Sequence, residues 1–422
     1  MQSDVFTLIF VVFLMATLSI RIWLVARQMR HVRAHRNAVP PQFAQTIPLQ
    51  AHQKAADYTV AKSKLGLISI LVNAMVLICF TLLGGLQLLS DGILALTGPG
   101  LAYQLSLLVA FVLITALIDI PLEYYRQFVL EQHFGFNQMT METFITDMIR
   151  GAMLAFLLGL PLALAILTLM GKAGDLWWFY AWLVWCGFQL LVLVLYPTVI
   201  APMFNKFTPL SDETLRSRIE NLMQRVGFAS KGLFVMDGSR RSAHGNAYFT
   251  GFGSGKRIVF FDTLLSRLSP PEIEAVLAHE LGHFKLRHIA KRIAITFLMS
   301  LGLLALLGYL KTQAWFYTGL GVMPSLETSN DALALILFML VLPVFAFAFS
   351  PLESLASRKH EFEADAFAAK YSNADDLISA LVKLYEDNAS TLTPDPLHSA
   401  VYDSHPPASV RIQRLLTRTS QP

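Results

Sequence analysis

Charge is what this sequence has least of. Only 15% of its 422 residues are Asp, Glu, Lys or Arg, against about 25% in a soluble globular domain. Cysteine is scarce too: Cys79 and Cys186 are the two in the chain, each inside an apolar block. Such a pair builds no disulfide framework and no cysteine-based zinc site, so both read as small apolar packing residues. The apolar N-terminal stretch Val5–Leu24 lacks an Ala-x-Ala-like cleavage site and runs into basic residues instead. It reads as a retained span rather than a secretory signal. The net charge of +4 and the pI near 9.0 do not point to nucleic acid. The basic residues cluster beside apolar spans, as on the cytoplasmic face of a membrane protein.

What is present is apolar sequence in long blocks: 55% of residues are hydrophobic and the mean hydropathy is +0.52. A helix needs about 20 such residues to cross a bilayer. Blocks near that length lie at Val5–Leu24, Leu65–Leu89, Leu101–Ile118, Gly151–Met170, Leu176–Ile200, Ile293–Leu310 and Ala332–Phe349. The expected fold is an α-helical multi-pass membrane protein of about seven spans. Pro161, Pro197 and Pro343 fall inside them, which neighbouring helices make tolerable. Residues 25–64 carry Arg27, Arg30, Arg33, Arg36, Lys54, Lys62 and Lys64 against one acid, Asp57. That loop is expected in the cytoplasm. Alternation then puts 119–150, 201–292 and 350–422 on the same side and the N-terminus outside. The chain divides into helices with their loops (1–200), a catalytic segment (201–292), two further spans (293–350) and a second catalytic segment (351–422).

Ser269-Pro270-Pro271-Glu272 opens a helix, with Ser as N-cap, Pro in the first turn and Glu at the positive end of the dipole. The helix is expected to run on to His288. His279 and His283, four apart, share a face and can share one metal, while Glu280 stands ready to take a proton from metal-bound water. By chance alone this H-E-x-x-H pattern would appear in about one such chain per hundred, so the motif needs context. A zinc protease requires a third protein ligand and keeps a fourth position for water. Just after the last span lies Ser357-Arg358-Lys359-His360-Glu361-Phe362-Glu363-Ala364-Asp365. Glu361 can bind a metal and Asp365, on the same helix face, can orient a ligand histidine. Glu363 points about 160° away from Glu361. His360 competes with Glu361 on ligand chemistry alone.

Several further motifs stand in order: Phe128-Val129-Leu130-Glu131 with His133-Phe134-Gly135-Phe136-Asn137, Tyr196-Pro197 through Pro202, Phe204 to Leu210, and Asn246-Ala247-Tyr248-Phe249. Glu361-Phe362, Ala364-Asp365 and Ser404-His405-Pro406-Pro407 follow. With His279-Glu280-Leu281-Gly282-His283 they make the chain resemble the type I CAAX prenyl endopeptidases, integral-membrane zinc proteases, over nearly its whole length. The resemblance implies one zinc ion, Glu361 rather than His360 as third ligand, spans enclosing a water-filled chamber, and a small α+β zincin-like catalytic domain. It also implies a substrate strand in which Asn246 meets peptide backbone, and His405 and Arg411 around the reacting centre. The substrate class it implies is prenylated CAAX-type protein, with broader membrane-protein substrates in a bacterium.

Residues 246–261 read as a hairpin, Asn246–Phe252 and Arg257–Phe261 about a Gly253-Ser254-Gly255-Lys256 turn, able to pair with an extended peptide. Arg358 reads as an ion-pair partner. His244, His288 and His398 find no partner by spacing. Arg21, Asp119, Glu123 and Asp147 sit in or near spans and are read as facing water. The partners expected are a peptide substrate and membrane lipid, the protein acting as a monomer. Without a Lys-Asp-Glu-Leu-like or dilysine ending, a bacterial inner membrane is expected over the endoplasmic reticulum. Two rivals are an intramembrane-cleaving protease, against which Lys285, Arg287, Lys291 and Arg292 beside the motif argue, and a transporter with a structural zinc. The latter needs four protein ligands.

Overall fold

The computed structural model describes residues 1–229, 232–250, 257–325 and 328–419. Its membrane half begins with α1 (Ser3–Ala34), α2 (Leu49–Phe80), α3 (Gly85–Thr97) and α4 (Leu101–Tyr125). Helices α5 (Met141–Lys172), α6 (Trp177–Leu195) and the short α7 (Ala201–Phe204) follow. Seven stretches are long and apolar enough to cross a membrane, matching the expected number. One apolar block is divided. Leu65–Leu89 was expected as a single span, but α2 stops at Phe80 and the chain turns through Gly84 at φ 75°, a left-handed conformation open to glycine. Helix α3 rises only about 20 Å, too little to cross.

Between 6% and 39% of each span's most apolar window is buried, so most residues of every span keep some exposed surface. Where the helices do meet, Phe10, Leu86, Leu107, Leu167, Phe316 and Leu337 form a shared core, each 2% exposed or less.

The second half starts with β1 (Phe207–Pro209), α8 (Glu213–Val226), β2 (Leu233–Met236), β3 (Ala247–Thr250) and β4 (Arg257–Phe261). After α9 (Asp262–Leu265) come α10 (Pro270–Lys285) and the sixth span, α11 (His288–Leu310), then α12 (Ala314–Thr318) and α13 (Asp331–Ala346). Helices α14 (Ser350–Tyr371), α15 (Ala374–Asp387), α16 (Pro396–Tyr402) and α17 (Ala408–Thr419) complete it. The sheet order is β1-β2-β4-β3, with β2 and β4 parallel and the other pairs antiparallel. Strand β3 is therefore an edge. The expected hairpin strands are present over Ala247–Thr250 and Arg257–Phe261; Gly251, Phe252 and the turn lie outside the described residues.

One core joins residues 201–292 to residues 351–422 across the intervening spans. Ile219, Ile258, Phe260 and Leu277 pack with Ala368, Leu377 and Leu415. Helix α10 lies directly on α14: a Cβ added at Gly282 would stand 3.1 Å from the Ala364 Cα and the Phe367 Cβ. Any larger residue there would have to push α14 back by a few tenths of an ångström.

Candidate active site

Helix α10 is fixed at its start by a capping box. Glu272 accepts the Ser269 backbone N–H at 2.7 Å, the Ser379 hydroxyl at 2.6 Å and the Lys383 ammonium at 2.8 Å. Burial opposes the Glu272 charge, but these donors hold its pKa down at about 2. The helix ends earlier than expected, at Lys285. Arg287 takes a left-handed conformation at φ 59°, and α11 opens afresh on His288. That turn folds His288 back against His283, which an unbroken helix could not do.

His279 and His283 present their Nε2 atoms to each other at 3.3 Å. Glu361, from α14, places Oε2 3.4 Å from His279 Nε2 and Oε1 3.4 Å from His283 Nε2. Each of these side chains is 15% exposed or less. Glu361 Oε2 is buried with no hydrogen-bond partner. Lone pairs gathered without a proton donor suit a cation. A tetrahedral ion with bonds of about 2.0–2.1 Å sets its ligand atoms about 3.3–3.4 Å apart, so these donors fit a metal of zinc's size. His360, the rival ligand, instead stacks on His288 with centroids 4.1 Å apart. His288, His360 and Glu363 also bring ligand atoms within 4.8 Å. Both nitrogens of His288 are engaged there, one by His283 and one by Glu363.

Each histidine of the motif has its own support. His279 Nδ1 lies 2.8 Å from Asp365 Oδ1, and Arg411 donates to both Asp365 oxygens at 2.6 and 2.9 Å. Asp365 and Arg411 are buried at 4% and 6% exposure. Without a metal, burial opposes the His279 charge, yet the adjoining carboxylates of Asp365 and Glu361 raise its pKa to about 9. Metal binding must therefore displace a proton. His283 Nδ1 meets His288 Nδ1 at 3.0 Å, and His288 Nε2 meets Glu363 Oε2 at 2.9 Å. Spacing offered no sign of this relay, because the left-handed Arg287 makes it.

His405 Nε2 stands 3.4 Å from Glu361 Oε1, with the Ser404 hydroxyl 3.0 Å from Nδ1. Crowding by the surrounding protein lowers its pKa below the ordinary imidazole value although the side chain is 63% exposed; Glu361 opposes this, and the positive charges of Arg411 and His279 lower it further. Glu280, half-buried on α10, is close enough to act on the His405 charge. Arg358 is no ion-pair partner among the described residues. It donates to the carbonyls of Ser399 (3.1 Å), Ala400 (3.2 Å) and Asp403 (3.1 Å), fixing the loop that carries His405. The orphan carbonyls at the end of α16 explain the difference.

Asn246 is exposed at the start of β3, its carbonyl accepting Phe261 N–H at 3.0 Å and its side chain accepting Ala247 N–H at 2.8 Å. The motif at residues 133–137 supports this strand's approach. Phe136 stacks on His244 with centroids 4.4 Å apart, and His244 meets Asn388 at 3.1 Å and Glu131 at 3.5 Å. Asp147 does not simply face water: Arg241 grips both its oxygens at 2.7 and 2.9 Å.

Residues 28–206 match the family described as CAAX prenyl protease N-terminal, five membrane helices, and residues 209–419 match peptidase family M48. CAAX prenyl protease 1 of Saccharomyces cerevisiae is 34% identical over 96% of this chain and 93% of its own. The chain belongs to peptidase family M48. This M48 protein is a multi-pass membrane metalloendopeptidase. The human CAAX prenyl protease 1 homolog is 32% identical over 93% of this chain and 91% of its own. The crystal structure of S. mikatae Ste24p superposes with a TM-score of 0.90 at 33% identity, covering 97% of this chain and 99% of that one. The transporter reading is set aside: the cluster offers three protein ligands among the described residues, one fewer than a closed structural zinc site.

Proposed function

We propose that this M48 peptidase holds one zinc ion through His279, His283 and Glu361 and hydrolyses peptide bonds near the C-terminus of prenylated CAAX-type proteins, with broader membrane-protein substrates if it works in a bacterium. The observation that carries the metal is the trio of donor atoms 3.3–3.4 Å apart around an unpartnered Glu361 oxygen. The relatives' names supply the substrate class. When bound, the ion supplies a Lewis acid that acidifies a water and polarises the scissile carbonyl.

The remaining steps belong to side chains. A substrate adds to the free edge of β3, with Asn246 meeting its backbone. Glu280 takes the proton of the attacking water and returns it to the departing amine. His405 Nε2–H donates to the oxygen on which negative charge develops. Asp365 and Arg411 hold His279 in the tautomer that leaves Nε2 free, and Glu363 through His288 holds His283.

Residues 201–292 and 351–422 act as one catalytic unit on the cytoplasmic side. Support comes from the basic residues after the first span: Arg27 pairs at 2.8 Å with Asp395 of the second catalytic segment, so both lie on one side of the helices. The bilayer around the spans is the lipid partner, and the chain works as a monomer. The relatives named above are eukaryotic, so placement in a bacterial inner membrane rests on the sequence reading alone. Metal analysis of the purified protein tests the proposal, with cleavage of a farnesylated and an unmodified peptide before and after chelation. One zinc per chain and chelator-sensitive cleavage favouring the farnesylated peptide are expected. Cleavage that survives complete metal removal overturns it.

A further inference from the structure

The membrane half holds polar groups that the metal centre does not use. Arg21 lies within the first apolar span, where a guanidinium is costly unless it serves a purpose. No ion pair joins it to a described residue. Its Nε is buried without a hydrogen-bond partner, and its Cζ sits 5.6 Å above the Phe347 ring. Two other buried atoms lacking partners, His398 Nδ1 and Tyr402 Oη, line the same cavity of about 410 Å³. Lys62 lines it too, with Nζ 4.8 Å above the Tyr58 ring and no hydrogen bond or ion pair to a described residue. Glu131, whose field reaches Lys62, accepts from Tyr58 at 2.6 Å through Oε1, while its Oε2 lies 3.5 Å from His244 without a hydrogen-bond partner. No carboxylate lines the cavity. The half-buried Arg21 and the more exposed Lys62 thus border one space that no carboxylate lines, beside two polar atoms without partners, an arrangement suited to an anionic ligand.

The cavity lies beside the loop that carries His405. It shares Gln28, Thr59, Lys62 and Tyr402 with a second cavity of about 370 Å³ whose wall includes His405. His405 is itself 3.4 Å from Glu361. His398 and Tyr402 lie one turn apart on α16, about 6 Å, and an extended tripeptide reaches about 10 Å. We propose that this cavity receives the free α-carboxylate at the C-terminus of a peptide substrate. Arg21 is its main partner, with Lys62, His398 and Tyr402 completing the pocket. The peptide after the scissile bond then spans from the metal centre to Arg21, which sets how far from the C-terminus the cut falls. This deepens the reading of the protein as a peptidase that cuts near a C-terminus, and rests on it.

The test uses the full-length protein in detergent and cleavage of an internal fluorogenic peptide blocked at both ends, so it needs no prenylated substrate. The inhibitors are an apolar tripeptide, Val-Ile-Leu, as its free acid and as its C-terminal amide. The acid is expected to inhibit about tenfold or more better than the amide, the scale of one charge-assisted hydrogen bond. In Arg21→Gln that ratio falls toward one. If Arg21→Gln fails to accumulate, Lys62→Gln and Tyr402→Phe are read for the same narrowing. Equal inhibition by acid and amide in the unsubstituted protein overturns the proposal, as does a ratio that persists in the variants. Equal inhibition, together with an anionic phospholipid that copurifies with the protein and is lost in Arg21→Gln, assigns the cavity to a lipid headgroup instead. Absence of any cleavage of the blocked peptide removes the peptidase reading, and this proposal with it.

Discussion

Replacing Asp365 by Asn separates what the buried Asp365–Arg411 pair does for the fold from what it does for the metal. Asp365 accepts from Arg411 at 2.6 and 2.9 Å and lies 2.8 Å from His279 Nδ1, with each carboxylate oxygen engaged. Neutralising it leaves the Arg411 guanidinium, 6% exposed, without its counter-charge. Breaking one side of such a pair costs about 3–5 kcal/mol; Asn keeps one acceptor oxygen, which places the loss near the lower end. His279 also loses the acceptor that fixes its tautomer, worth about 10–100-fold in metal affinity. Exchanging both partners for apolar residues, Asp365→Leu with Arg411→Met, removes the stranded charge. It should recover most of the stability while leaving metal affinity low. Thermal unfolding in detergent reads the first quantity, and competition with a chromogenic chelator the second. Unchanged metal affinity in Asp365→Asn, or restored affinity in the double variant, would refute the assignment of Asp365 to His279.

Three further outcomes follow from the same geometry. Glu272, with its pKa depressed to about 2 from 4.5, contributes stability that is complete above pH 4.5 and is lost as pH falls from there toward 2. About 3 kcal/mol is at stake, and Glu272→Gln should flatten the acid limb of the unfolding curve; an unchanged limb would contradict this. Gly282→Ala pushes α10 off α14 at a 3.1 Å contact, at a cost of about 1–3 kcal/mol. Since Glu361 rides on α14, metal should be lost from it more readily under chelator challenge, and equal retention would count against the close-approach argument. His288→Phe keeps the ring but removes both relay bonds of 3.0 and 2.9 Å, with an expected loss of about tenfold or more in metal affinity; Glu363→Gln should reproduce part of it, and normal affinity in both would dismiss the relay.

Much of this arrangement was legible from sequence because the relevant signals are local. Apolar length alone located the spans, and a four-residue spacing put His279 and His283 on one face. The same helical spacing joined Glu361 to Asp365. The break between α2 and α3 escaped because Gly84 lies in continuous apolar sequence, where hydropathy does not register a left-handed turn. The relay through His288 and Glu363 depends on the left-handed Arg287, a conformation that its residue type gives no reason to expect. Arg358 was read by charge, yet its partners are carbonyls some forty residues away that the fold supplies. Arg21 and Asp147 illustrate the general difficulty: the sequence marks them as costly, and only tertiary packing gives one a partner and leaves the other facing a cavity.

In the proposed mechanism Glu280 performs proton transfer beside a metal that it does not bind. Glu280→Gln tests it most directly, with metal content and peptide cleavage measured on the same purified sample. The expected result is a full complement of one metal per chain with cleavage reduced by about a hundredfold or more. Full activity with metal retained, or loss of the metal along with activity, would contradict the role assigned to Glu280.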